Sequence, residues 1–178
     1  MILEAKDIQN NWVQFMANID AHITGERKRK LIEFYEKYQE RIMLMPAAHK
    51  KEYHNAFPGG YVEHVNRVVR CALKQHDLWA SEGVNTSTYT IEELVFSALN
   101  HDLGKMGDEE NESYIPQTDQ WRKDKLGEDY MFNTKVPFAS VQIVVYSSSN
   151  HMVFSIPLMK CLLFKLTMVY MMKQIRNT

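Results

Sequence analysis

Cysteine is scarce: the 178-residue chain has two, Cys71 and Cys161. A disulfide framework is therefore excluded, at most one bridge can form, and two free thiols in a reducing cytosol are the expectation. Glycine is sparse too, seven in all, and forms no dinucleotide-binding pattern; no internal repeat appears. An excess of one charge is missing as well, with 21 Lys and Arg against 22 Asp and Glu. That balance, with 45% apolar residues, is globular rather than disordered or nucleic-acid-coating. The N-terminus places Glu4, Lys6 and Asp7 where a signal peptide needs its apolar core, so a cytoplasmic protein is expected. No unbroken membrane-length run exists either. The apolar stretch from Met152 to Met172 is interrupted by Pro157, Lys160 and Lys165. Each charge near a bilayer centre costs about 2.5–3.5 kcal/mol, and no membrane partner is expected.

One further absence divides the chain. No acidic residue follows Asp129, so residues 1–142 carry 17 basic against 22 acidic groups while 143–178 carry four basic groups and none acidic. The length suits one domain. The expected organisation is an all-α body over 1–142 and an apolar, basic tail of doubtful origin over 143–178.

Within the body, Ile8, Trp12, Phe15 and Ile19 recur at helical spacing, and Leu31, Tyr35, Tyr38 and Ile42 do so again after Thr24-Gly25. Two amphipathic helices are expected, the second ended by Pro46. The run Arg27-Lys28-Arg29-Lys30 reads as a solvated helical face. A loop from His49 to Gly60 closes with Pro58-Gly59-Gly60. A third helical pattern follows, with Tyr61, Val65, Val68, Val69, Ala72 and Leu73 as its apolar positions. Thr90-Ile91-Glu92-Glu93 has capping-box form and starts a helix whose stripe, Ile91, Leu94, Val95, Ala98 and Leu99, continues through His101 and Asp102 to a stop at Gly104. From Gly107 to Asp129 the chain reads as a polar loop with one short helix. Only Val141 to Tyr146 reads, weakly, as a strand.

His101-Asp102 offers an imidazole and a carboxylate at the end of a buried helix face, one nitrogen and one oxygen for a divalent cation. A His-Asp pair alone is weak evidence, since seven His and eight Asp give about 0.3 by chance, and His76-Asp77 is a second one. His76 falls twelve residues after His64 on one helix, about 18 Å along the axis, so those two cannot share an ion. His76-Asp77 is read as a solvated helix end. His101-Asp102 lies on another helix and can face His64, giving three ligands with positions left open, which suits catalysis better than structure.

The segments Phe57-Pro58-Gly59-Gly60-Tyr61-Val62-Glu63-His64 and Leu99-Asn100-His101-Asp102-Leu103-Gly104-Lys105 resemble the HD superfamily of metal-dependent phosphohydrolases. Pro46-Ala47-Ala48 and the segment His54 to His64 are most similar to the branch containing bacterial HD-type 3′–5′ exoribonucleases and related phosphodiesterases. The resemblance runs from about Pro46 to Lys105. It implies an HD-domain helical bundle in which His64, His101 and Asp102 hold a divalent metal ion (Mn, Fe, Ni, Zn or Mg), Asp102 also orients the attacking water, Lys105 contacts substrate phosphate and His54 lines the site. The substrate would be a small phosphate ester, a nucleotide or an RNA end. A non-catalytic HD scaffold that binds a nucleotide or protein, with the Met-rich 152–172 stretch as a contact surface, is the other reading. A mixed-valence di-iron oxygenase of this type would need further ligands.

The resemblance also implies a downstream Asp ligand and, in this branch, a second His-Asp-Gly motif. Neither is present, and Asp108, Asp119, Asp124 and Asp129 lie too early to substitute. Read one base earlier, codons for Leu166 to Met172 permit His-Asp-Gly-Leu-Tyr-Asp, and those for Ile143 to Tyr146 permit Asp-Arg-Ser-Leu. A single-base loss near codon 143 is the expectation this raises, against a native apolar tail; sequencing the gene for a longer frame decides between them.

Overall fold

The computed structural model describes residues 3–136, which are mostly helical. The tail 143–178, the weak strand at Val141 to Tyr146 and the apolar stretch 152–172 lie outside the described residues. Helix α1 (Ala5–His22) opens on a capping box between Glu4 and Asp7 and buries Trp12, Phe15 and Ile19. Helix α2 (Gly25–Lys37) returns across it, so that Phe15 meets Tyr35 edge-on at 4.7 Å between ring centres.

The expected second helix is broken. Tyr38 leaves helical geometry at φ −110°, ψ 20°, and a separate helix α3 runs over Gln39–Leu44. The break leaves the Tyr38 ring against Phe34 and beneath the charges of Lys37 and Arg41, while Ile42 is still fully buried. Met45 is extended, as a residue before proline prefers, and α3 ends there. The loop to helix α4 (Gly60–Ser81) is tied by Ala47 N–H to the Asn55 carbonyl at 3.0 Å, Gly59 N–H to Leu44 at 3.1 Å and Tyr61 N–H to Met45 at 3.2 Å. Asn55 is left-handed at φ 56°, and its amide donates to the Gly60 carbonyl at 3.0 Å. Only a glycine fits at position 60, because a Cβ there would lie 2.2 Å from the Asn55 carbonyl oxygen.

Helix α5 (Ile91–Asn100) packs along α4 and starts with the expected box: Glu93 N–H donates to Thr90 Oγ1 at 3.1 Å and Thr90 N–H to Glu93 Oε2 at 2.9 Å. It stops at Asn100 rather than at Gly104. The buried Asn100 amide turns back on the Phe96 carbonyl at 2.7 Å and accepts from the Tyr35 hydroxyl at 3.0 Å, a side-chain competition that favours helix ends. A 3-10 turn over Leu103–Met106 follows, and the left-handed glycine is Gly107 at φ 96°.

The Gly107 to Asp129 segment is not simply a loop with a short helix. Strands β1 (Tyr114–Pro116) and β2 (Tyr130–Phe132) form an antiparallel ribbon pairing Tyr114 with Phe132, with a π-helical turn over Arg122–Leu126 between them. Three-residue strands are too short to show alternation in sequence. The ribbon's base is closed by Glu128, buried yet paired with Arg122 at 2.7 Å. The basic run on α2, expected as a solvated face, is partly covered and carries ion pairs from Arg27 to Glu92, Lys28 to Asp20 and Arg29 to Glu26 and Glu33. His76 is only in part a solvated helix end: its ring is half-buried and Nδ1 lies 3.2 Å from the Tyr89 hydroxyl, while Asp77 is exposed. Among the described residues no helix is long and apolar enough to cross a membrane.

Candidate metal centre

Three elements converge at one end of the α4/α5 pair. His64 stands in the second turn of α4, His101 and Asp102 follow the last turn of α5, and Lys105 lies on the 3-10 turn. His64 Nε2 and His101 Nε2 are 3.2 Å apart, and Asp102 Oδ2 lies 3.2 Å from the His101 nitrogen and 3.5 Å from that of His64. The three residues read from sequence as ligands are thus brought together on side chains that are largely buried.

The His101 ring orientation follows from geometry. Its Nδ1 lies 2.8 Å from the Ala98 carbonyl oxygen, which can only accept, so Nδ1 carries a hydrogen and Nε2 is the ring atom turned to the site. A backbone carbonyl behind the ring is how metal-ligating histidines are usually oriented. Burial alone would raise the Asp102 carboxyl, but hydrogen bonds from His101 and His64 and the Lys105 charge outweigh it and hold Asp102 well below the usual carboxylate range. The carboxylate is ionised and points at two imidazole nitrogens.

A divalent ion fits this set. The edges of 3.2, 3.2 and 3.5 Å place each donor about 1.9 Å from the triangle's centre, so the three atoms could hold an ion at the roughly 2.0–2.2 Å bond lengths of nitrogen and carboxylate ligands. Two imidazoles and a carboxylate suit first-row transition ions.

His54 is closer to the centre than a lining residue need be. Its ring lies 4.4 Å from that of His64, and donor atoms of His54, His64 and Asp102 all fall within 4.8 Å of one another. Two overlapping triads therefore share His64 and Asp102. The one with His101 is tighter and has an oriented ring, whereas His54 is exposed on the α3–α4 loop, so His54 is the added nitrogen rather than the anchor. Burial, followed by the charges of His64 and Lys105, lowers its pKa and favours a neutral ring. Lys105 Nζ reaches Asp102 Oδ2 at 2.7 Å and sits inside the site.

Sequence reasoning missed Arg67. It follows His64 by three residues, on the same face of α4, and its guanidinium meets Asn55 Oδ1 at 2.9 Å and Glu63 at 3.2 Å, close enough for its charge to act on His54. Helical spacing from His64 was the available signal. Tyr114 was missed as well; burial, aided by the Asp102 charge, pushes its hydroxyl up to about 12. Compared with protein-family models, curated proteins and solved structures, the chain matches none.

Proposed function

We propose that the chain is an HD-type metal-dependent phosphohydrolase that hydrolyses a phosphate ester of a nucleotide or oligonucleotide. The observation that carries this reading is the convergence of His64 Nε2, His101 Nε2 and Asp102 Oδ2 within 3.2–3.5 Å of one another, with the Lys105 ammonium on the same carboxylate. His64, His101 and Asp102 would hold the ion. A bound first-row ion supplies hydroxide at neutral pH and offsets charge on phosphoryl oxygens.

The chain's own residues do the remaining work. Ala98 fixes the His101 ring through Nδ1, and Asp102 keeps its charge and orients water through its carboxylate. Lys105 holds a non-bridging phosphate oxygen as a point charge, and Arg67 with His54 lines the approach from the α3–α4 loop.

One observation favours a second reading. Within these 178 residues no Asp or Glu follows Asp129, so they hold no counterpart of the resemblance's downstream acidic ligand, and a scaffold that binds a nucleotide or protein without turning it over fits such a site. Metal analysis together with phosphatase and phosphodiesterase assays in Mn, Fe, Ni, Zn and Mg separates the two. Bound metal with hydrolysis that His101→Ala abolishes supports the enzyme; neither metal nor hydrolysis supports the scaffold.

A further inference from the structure

The α3–α4 loop that carries His54 into the site also carries a set of aromatic rings. His49 stacks on Tyr114 at 5.8 Å and 28°, lies 4.3 Å from Phe132, and meets Tyr53 edge-on at 6.2 Å. Tyr114 and Phe132 are directly paired across the ribbon, so their side chains share one face, with ring centres 5.2 Å apart. Pinning the ribbon to the loop explains Tyr114, which is buried, and His49, which is half-buried. It does not explain the outer rings: Tyr53 is 53% and Phe132 52% exposed.

The α3–α4 loop links these rings to the metal centre. Tyr53 precedes His54, whose ring is 4.4 Å from His64. Cations frame the same region: Lys50 Nζ lies 6.0 Å from the Tyr53 ring centre, Arg67 stands beside Asn55, and Lys105 is on Asp102. A surface that offers flat apolar faces at one end and positive charge with metal ligands at the other suits a molecule with an aromatic ring joined to a phosphate.

We infer that Tyr53 and Phe132 form a stacking subsite for the nucleobase of a nucleoside phosphate whose phosphate lies at Lys105. The subsite deepens the phosphohydrolase reading and rests on it for the phosphate end. Stacking accepts any base, because every base presents a π face. The subsite therefore selects nucleotides over non-aromatic phosphate esters without selecting among bases.

The test is equilibrium binding by calorimetry on the full chain in EDTA, which separates stacking from metal chemistry. Two ligand pairs are compared: adenosine 5′-monophosphate against ribose 5-phosphate, and an adenosine-ended RNA trimer against the same trimer ending in an abasic ribose. The base-bearing member of at least one pair should bind roughly 5- to 150-fold tighter. Tyr53→Ala should remove most of that preference and Tyr53→Phe should retain it, with Phe132→Ala as a second probe checked by its melting curve. A preference in the first pair indicates a free nucleotide, one in the second a strand end, and either supports the subsite. Equal affinity within both pairs, or a preference that neither Tyr53→Ala nor Phe132→Ala reduces, overturns it. A chain that binds no metal and hydrolyses nothing, yet keeps the base preference, loses the phosphohydrolase reading and keeps the subsite.

Discussion

Lys105 Nζ lies 2.7 Å from Asp102 Oδ2, the same oxygen that faces His101 at 3.2 Å and His64 at 3.5 Å. One carboxylate oxygen thus serves an ammonium and the candidate ion. The lysine helps keep Asp102 ionised, but its positive charge opposes a second cation at the same atom. Lys105→Met should bind a divalent ion at least as tightly as the native chain, while kcat/KM for a phosphate ester falls roughly tenfold or more, since a phosphate contact is lost. Parallel metal titration and kinetics check this; a loss of metal affinity would make Lys105 a prop for the ligand rather than a substrate contact.

His101 is predicted to be indispensable to metal binding. Altering an outer partner of a ligand costs about 10–100-fold in affinity, so removing the ligand itself in His101→Ala should cost more than about 100-fold. The metal-free variant should melt near the native temperature, because the ring lies outside the main core, which would show that the loss is local.

Metal should also stabilise the fold. An ion at 100 times its dissociation constant adds about 2.7 kcal/mol, which for a chain of this size raises Tm by about 5–10 °C. Differential scanning with and without Mn or Zn reads the shift, and His64→Ala and His101→Ala should show none.

His49 makes the loop and ribbon acid-sensitive. Burial, then the Lys50 charge, lowers its pKa below the ordinary 6.5, so the native state resists protonation that the unfolded chain accepts. With more protons bound when unfolded, stability rises with pH, is complete above about 6.5 and declines as pH falls from there toward the lower native value. Denaturant titrations at pH 7 and pH 5 should show a smaller loss for His49→Phe than for the native chain.

Gly60→Ala tests whether the loop positions the site. The added Cβ meets the Asn55 carbonyl oxygen at 2.2 Å, which is backbone that cannot step aside. A loss of about 1–3 kcal/mol in stability is expected, with hydrolysis falling further than the unfolded fraction accounts for because His54 is carried by the displaced loop.

Much of this arrangement can be read from local sequence. The Thr90 capping box, the stop before Pro46 and the stripes of α1, α4 and α5 are set by residues within a few positions of one another. The convergence of His64, His101 and Asp102 was legible because helical spacing separates His64 from His76 and leaves His101-Asp102 to face it. Most of what was not legible depends on distant partners. Asn100 ends α5 through Tyr35, and the ribbon packs on the His49 ring. The break at Tyr38 lies among near neighbours, but no glycine or proline marks it. Tyr114 reaches the site region by the same long-range packing, whereas Arg67 follows from helical spacing on α4 and the approach of His54 to His64 depends on the path of the α3–α4 loop.

The most direct test of the central claim is metal content of the purified chain, measured by plasma mass spectrometry beside a phosphate-ester assay on the same sample. The account predicts close to one equivalent of a first-row divalent ion, or its uptake on supply, with hydrolysis that disappears in His101→Ala. A chain that retains none of Mn, Fe, Ni, Zn or Mg, takes up none, and hydrolyses no phosphate ester when they are supplied contradicts it.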